Sequence, residues 1–352
     1  MILGGYKKKQ RYYMDKLLDG KLELHSFFND TISDISDRNI VLPFNPTSEE
    51  FDMSFFTFPP DGKLVTNVEE IKKYRLDAKN GEKFKDLFTI YSYDESILKY
   101  SALQGDAYIT SHSIIRLGEK DYIPSCLITL YFYTRSEMIK SDSKAIIHTS
   151  DSKTESKKNY FNDKIYFLKR IIKPKSLVFI DGPLIGGDYY VKMIQSIKDF
   201  IDMDTILVFF VKNSNSNLVT DNIEEFRSKF NSDMHWSYSM LMPGERTNFF
   251  KYVDRKNSDN AKVFCYIKSF NTSPQRVEFP LNIFIKYRSQ IDTIMDMIYY
   301  LMIVQGDLKN PQIRPIAIAE KYARSTLQLI DLNRLMRSSL LVPTMNQERF
   351  GW

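Results

Sequence analysis

The sequence predicts a mixed α/β protein, one sheet with helices packed on it, and three observations lead there. Two strands joined by a short polar turn can be read at 101–135. Two all-apolar runs, LVFI (177–180) and ILVFFV (206–211), bracket an amphipathic helix. Long helical patterns then fill the last quarter of the chain. Strands apolar on every face, separated by a helix, are the pattern of a parallel β-α-β unit covered on both sides.

The elements follow in order. Residues 1–100 read as an N-terminal extension of helices and Pro-punctuated loops, with NVEEIKKYRLDAKNGEKFKDLFTIY helical or mixed. LQGDAYITSHSIIRLG and IPSCLITLYFYTR read as strands around the turn GEKD. AIIH is a short strand inside a Ser/Lys-rich loop (141–159). NYFNDKIYFLKRIIK carries apolar residues at 161, 165, 168, 171 and 172, one helical face. YYVKMIQSIKDFI is a second amphipathic helix. EEFRSKF reads as a short helix, HWSYSML and AKVFCYIKSF as strands, and QRVEFP as an edge strand ended by proline. IFIKYRSQIDTIMDMIYYLMIVQGD reads as one long helix and RPIAIAEKYARSTLQLIDLNRLMRSSL as a terminal one. The domain reading is therefore an extension over 1–100, a core over 101–335 and a tail over 336–352 that docks on a partner or on the chain's own core.

Bulk composition narrows the class. The 352 residues are 43% hydrophobic and 26% charged, the profile of a water-exposed globular chain. The net charge of +5 permits an anionic partner such as nucleic acid without establishing one. Cys126 and Cys265 are isolated, with no CxxC, so neither a zinc site nor a disulfide framework is expected and a reducing cytoplasm is the default. No run reaches the roughly 18 apolar residues of a membrane span. His25, His112, His148 and His235 show no paired spacing, and there is no Walker A loop, GxGxxG or GxSxG.

Three aspartates stand where an α/β metal site would want them. Asp106 opens the strand pair, Asp163 lies near the start of a helix, and Asp181 ends the strand LVFI. Converging carboxylates can hold Mg²⁺ or Mn²⁺, hard ions that take oxygen ligands, and such ions activate a water and stabilise the leaving oxygen of a phosphodiester. Each also has an ordinary reading. Asp181 before Gly182-Pro183 is a turn signal, Asp163 suits a helix N-terminus, and Asp106 suits a loop. Lys212 closes the second apolar strand, where a lysine is commonly solvated.

The stretch SLVFIDGPL…MIQSIKDFI…TILVFFVKNSNSNLV resembles the NurA-domain nucleases, as do YIKSFNTSPQRVEFP and RPIAIAEKYARS further on. The resemblance covers roughly 100–335 and implies an RNase H-like core that cleaves DNA with a divalent metal, Mn²⁺ or Mg²⁺. It also implies a homodimer working with a HerA-type hexameric ATPase in DNA end processing and repair, with no membrane. By that resemblance Asp181 is the metal-binding aspartate of the DG motif, Asp106 the first-strand aspartate and Asp163 the acidic position on the preceding helix. Lys212, Arg314 and Arg276 would contact phosphate or DNA. The last motif departs from the family pattern of Tyr-Pro followed by Ala-His: here stand Arg314-Pro315 and Ala319-Glu320. Glu320 replaces the histidine as a fourth metal ligand, since a carboxylate also binds hard ions. The alternative is a catalytically silent NurA-like subunit that binds DNA or the ATPase structurally.

Overall fold

A computed structural model describes residues 64–344, apart from 71, 119–120, 138, 140–143, 185–190, 213, 215, 223–228, 254–260, 307, 309–310 and 339–340. All of these lie in one unit, 45–352. The expectations for residues 1–63, for EEFRSKF and for the end of the tail lie outside the described residues.

The strands are β1 (Leu64–Asn67), β2 (Tyr74–Arg75), β3 (Thr89–Ala102), β4 (Gly105–Leu117), β5 (Tyr122–Thr134), β6 (Ile146–His148), β7 (Ser176–Asp181), β8 (Ile206–Val211), β9 (Glu245–Arg246), β10 (Phe250–Val253), β11 (Ala261–Lys268) and β12 (Gln275–Pro280). The helices are α1 (Ala78–Phe84), α2 (Ser152–Ile171), α3 (Val191–Asp202), α4 (Asp233–Met240), α5 (Leu281–Lys286), α6 (Ile291–Gln305), α7 (Arg314–Gln328) and α8 (Leu332–Ser338).

One sheet runs β1-β10-β11-β12-β8-β7-β3-β4-β5-β6. At its centre β3, β4 and β5 form an antiparallel meander, and β7 then β8 add in parallel beside β3. Three antiparallel strands continued by two parallel ones, with helical crossovers, is an RNase H-like arrangement. β8 then pairs antiparallel with β12, which extends the sheet through β11, β10 and β1. The core lies where β7 and β8 are covered on both faces; Leu177, Phe179, Ile206 and Val208 are fully buried. Parallel strands sealed on both sides need unbroken apolar runs, which is why these two were legible.

Several elements differ from the sequence reading. The expected boundary at residue 100 falls inside β3, a 14-residue strand that sits at the centre of the sheet. Its polar residues at 92, 94, 95 and 96 hide the strand pattern. HWSYSML is helical rather than extended: Ser232 caps α4, its side chain accepting the His235 N–H at 3.2 Å. QRVEFP is an interior strand between β11 and β8, buried throughout, with proline at its last position. The long helix from 281 breaks at Tyr287 into α5, a 3₁₀ turn (Arg288–Gln290) and α6, and the terminal helix breaks between α7 and α8. Among the described residues no helix is long and apolar enough to cross a membrane.

Candidate metal centre

Strand β7 ends at Asp181, and the next residue turns the chain out of the sheet. Gly182 has φ +93°, in the left-handed region that favours glycine. Its N–H contacts the Phe210 carbonyl at 2.8 Å and the Asp181 Oδ1 at 3.0 Å. Two residues on, the Leu184 N–H donates to Glu278 Oε2 at 2.7 Å. Glu278 is fully buried and also accepts from Lys262 (2.6 Å) and Arg276 (2.7 Å). A charge this deep persists because two cations and a backbone donor satisfy it. The Asp181 turn is thus tied to the sheet by a buried ion network.

Beside β7, strand β3 runs parallel with Tyr93 opposite Ile180, which brings Asp94 level with Asp181. Helix α7 crosses the same face of the sheet. It buries Ile316, Ala319, Ala323 and Leu327, a helical stripe whose two alanines allow close approach, and the Ser92 hydroxyl donates to the Pro315 carbonyl at 2.7 Å. This seating carries Glu320 to the strand ends. One carboxylate oxygen each from Asp94, Asp181 and Glu320 lies within 4.8 Å of the others. Two ligand bonds of about 2.0–2.6 Å span up to about 5 Å, so this separation fits a shared Mg²⁺ or Mn²⁺.

The electrostatics fit the same group. Asp94, 7% exposed, has its pKa raised to about 8, chiefly by burial and then by the charges of Asp181 and Glu95. Lys212 follows β8 and puts its ammonium 2.7 Å from Asp181 Oδ2 and 3.4 Å from Glu320 Oε2. Burial works to lower the Lys212 pKa, but Asp181 and Glu320 outweigh it and hold it above the ordinary lysine value. Arg324, one turn along α7, grips the other Glu320 oxygen at 2.6 Å. With Asp94 protonated, Lys212 and Arg324 balance Asp181 and Glu320, and a divalent cation that displaces the Asp94 proton and the Lys212 ammonium would find hard oxygen donors only.

Of the residues expected from sequence, the structure brings together Asp181, Lys212 and Glu320. It does not bring Asp106 or Asp163 to them. Asp106 pairs with Ser101, seven residues along β3 from Asp94, roughly 23 Å at about 3.3 Å per residue. There it accepts from Ser101 (2.7 Å) and Ser152 (2.6 Å) and pairs with Lys99 (3.0 Å), which hold its pKa below the usual range against burial. Asp163 lies on α2, across the other face of the sheet, and accepts from Tyr131 at 3.1 Å. Burial raises its pKa, while Thr129 and Tyr131 oppose the rise. The strand aspartate at the cluster is Asp94, which the sequence reading missed because β3 was assigned to the extension; the YSYDES alternation was its only signal.

Two arginines are also placed differently. Arg276 is buried and engaged by Glu278, Ser214 and Ser216, so it is not presented to a phosphate. Arg314 is exposed at the first position of α7, with Tyr122 in its field; six residues from Glu320, it projects about 120° away around the helix. The arginine that α7 supplies to Glu320 is Arg324.

An acidic trio, from the end of β7, the middle of its neighbour β3 and the helix α7 laid across them, on an RNase H-like sheet defines the class: an α/β protein with a candidate divalent-metal centre. The family model described as the NurA domain matches residues 164–325, which bears out the resemblance read from the sequence. A crystal structure of the NurA nuclease from Sulfolobus solfataricus is similar over 97% of this chain and 99% of that one, at 10% identity and TM-score 0.52. Another NurA crystal structure aligns over 86% of this chain and 94% of its own, at 9% identity and TM-score 0.42. A crystal structure of NurA with manganese aligns over 70% and 89%, at 9% identity and TM-score 0.36. No curated protein matches the chain.

Proposed function

We propose that this chain is a divalent-metal-dependent nuclease that cuts DNA, with the ion held by Asp94, Asp181 and Glu320. The observation that carries the reading is the convergence of those three carboxylates, from β3, β7 and α7, within 4.8 Å. The NurA match over 164–325 supports the reaction class. All-oxygen donors suit Mn²⁺ and Mg²⁺ alike. When bound, such an ion lowers the pKa of a water and offsets charge on the phosphodiester.

The chain's own residues supply the rest. Asp94 holds a proton near neutral pH in the metal-free protein and releases it when a cation neutralises its neighbours. Lys212, released from Asp181 and Glu320 by the ion, would supply a positive charge at the site to hold a phosphate oxygen. Arg324 keeps Glu320 oriented. By family resemblance, the partners we propose are a HerA-type hexameric ATPase and a second copy of the chain, acting in DNA end processing.

Replacing Asp181 with Asn should abolish manganese-dependent cleavage of single-stranded DNA, and EDTA should abolish it in the parent; undiminished cleavage by the variant overturns the assignment. One observation favours the second reading, a silent subunit: the Lys212 ammonium already contacts two of the three carboxylates. That reading requires DNA binding with no cleavage and no calorimetric Mn²⁺ binding.

A further inference from the structure

The Lys212 ammonium reaches two carboxylates of the metal centre, yet the sheet does not hold its residue in place. On one side of β8 the last pair is Phe210 with Asp181 of β7; on the other it is Val211 with Arg276 of β12. Lys212 is the next residue along, past both ladders, so its place is set by what holds the residues after it.

Arg276 holds them. It is 4% exposed, and its Nη1 donates to the Ser214 hydroxyl oxygen at 3.1 Å and to that of Ser216 at 2.5 Å. The two serines close on each other, the Ser214 hydroxyl donating to Ser216 Oγ at 2.8 Å and the Ser216 N–H to Ser214 Oγ at 3.1 Å. The Ser216 carbonyl accepts the Asp233 N–H at 3.0 Å, which ties the far side of the loop to α4. Behind the guanidinium, Arg276 Nε donates to the fully buried Glu278 at 2.7 Å. Glu278 does not require this second cation for neutrality, because Lys262 already pairs with it at 2.6 Å. What an arginine adds is reach in two directions: its planar fork grips the carboxylate at one edge and the two hydroxyls at another, which a lysine ammonium, a point charge, cannot do. Glu278 also accepts the Leu184 N–H beyond Asp181, so the turn after β7 and the loop after β8 share one anchor.

We propose that Arg276 is a positioning residue for Lys212: anchored on Glu278, it fixes Ser214 and Ser216 and so keeps the ammonium against Asp181 and Glu320. The proposal rests on the metal-centre reading and assigns how that site holds its lysine.

The test uses the full chain, the variant Ser214→Ala/Ser216→Ala, and the same pair of changes in Lys212→Met, each measured by Mn²⁺ calorimetry and by single-turnover cleavage of single-stranded DNA. Both serines are half-buried loop residues, and their loss leaves Glu278 paired with Lys262 and Arg276. Without them the ammonium no longer competes for the carboxylates, so Mn²⁺ should bind at least about threefold tighter while cleavage slows at least about tenfold. A general loosening of the fold would weaken Mn²⁺ binding instead. In Lys212→Met the serine changes should move neither quantity by more than about twofold, as expected of residues that act through Lys212. Arg276→Lys keeps a cation beside Glu278 and should match the serine variant, which carries the test alone where Arg276→Lys does not fold. Mn²⁺ affinity equal to or weaker than the parent's in the serine variant, or a full effect in Lys212→Met, overturns the proposal. A parent that binds no Mn²⁺ overturns the metal-centre reading and this proposal with it. A parent that binds Mn²⁺ without cleaving overturns the nuclease reading alone, since the tightening still reports on Lys212.

Discussion

Asp94 and Glu95 are consecutive residues of β3 whose carboxylates serve opposite faces of one sheet. The first meets Asp181 and Glu320, and the second lines a cavity with Asp163. The Glu95 N–H donates to Asp94 Oδ1 at 2.8 Å, and the Glu95 charge still helps raise the Asp94 pKa.

That raised pKa fixes a sign for the pH dependence. Folded Asp94 keeps its proton to about pH 8, whereas the unfolded chain releases it near 3.8. The folded state therefore binds more protons across this window, and metal-free stability falls as pH rises, by up to about 1.4 kcal/mol per pH unit. His112 acts oppositely below 6.5, since burial lowers its folded pKa to about 3. The clean window is pH 6.5–8, where denaturant titration in EDTA should show Asp94→Asn flattening the slope.

Lys212 competes with a metal ion for Asp181 and Glu320. Replacing it with Met should tighten Mn²⁺ binding by roughly tenfold, about 1.4 kcal/mol, while cleavage falls by at least about tenfold. Calorimetry and a single-turnover nuclease assay read the two effects separately. Mn²⁺ affinity equal to that of the parent would mean the ammonium does not share the site.

Glu278 is the anion of a buried network. Glu278→Ala strands Lys262 and Arg276 and leaves the Leu184 N–H unpaired. The expected loss is about 3–5 kcal/mol in urea unfolding at neutral pH.

The described residues before 89, from 64 on, pack as part of the same unit as the metal centre. Gly81 of α1 lies against the Asp296 carbonyl of α6, where a Cβ would overlap backbone atoms. The Asp296 side chain also accepts from the Asp77 N–H (2.9 Å) and from Asn80 (2.7 Å). Gly81→Ala should therefore destabilise by about 1–3 kcal/mol despite the better helix propensity, lowering Tm by several degrees. An unchanged melting curve would show that α1 is not held against α6.

The legible parts of the sequence share a physical cause. Strands β7 and β8 announce themselves because burial on both faces demands unbroken apolar runs, and Asp181 stands out where such a run stops. Strand β3 conceals itself because one face carries the metal-centre polar residues and the other a polar cavity, so neither face is apolar around residue 94. Helix α4 fails the periodicity test because six of its eight residues are buried, serine and aspartate among them. Buried Asp233 there accepts from the backbones of Val219 and Thr220 and from the Tyr266 hydroxyl. Asp106 looked like a site residue by motif position, yet its partners come from a hairpin end that only three-dimensional register reveals.

The sheet ends in very short strands, β6 with three residues and β1 with four among the described residues. A long flat margin would expose a ladder of unpaired N–H and C=O groups on which a neighbouring molecule could template. Beside β6 that margin is longer than the last strand itself: β6 pairs only with residues 132–134 of β5, so among the described residues 122–131 face no further strand, and an incoming chain would find its rungs there.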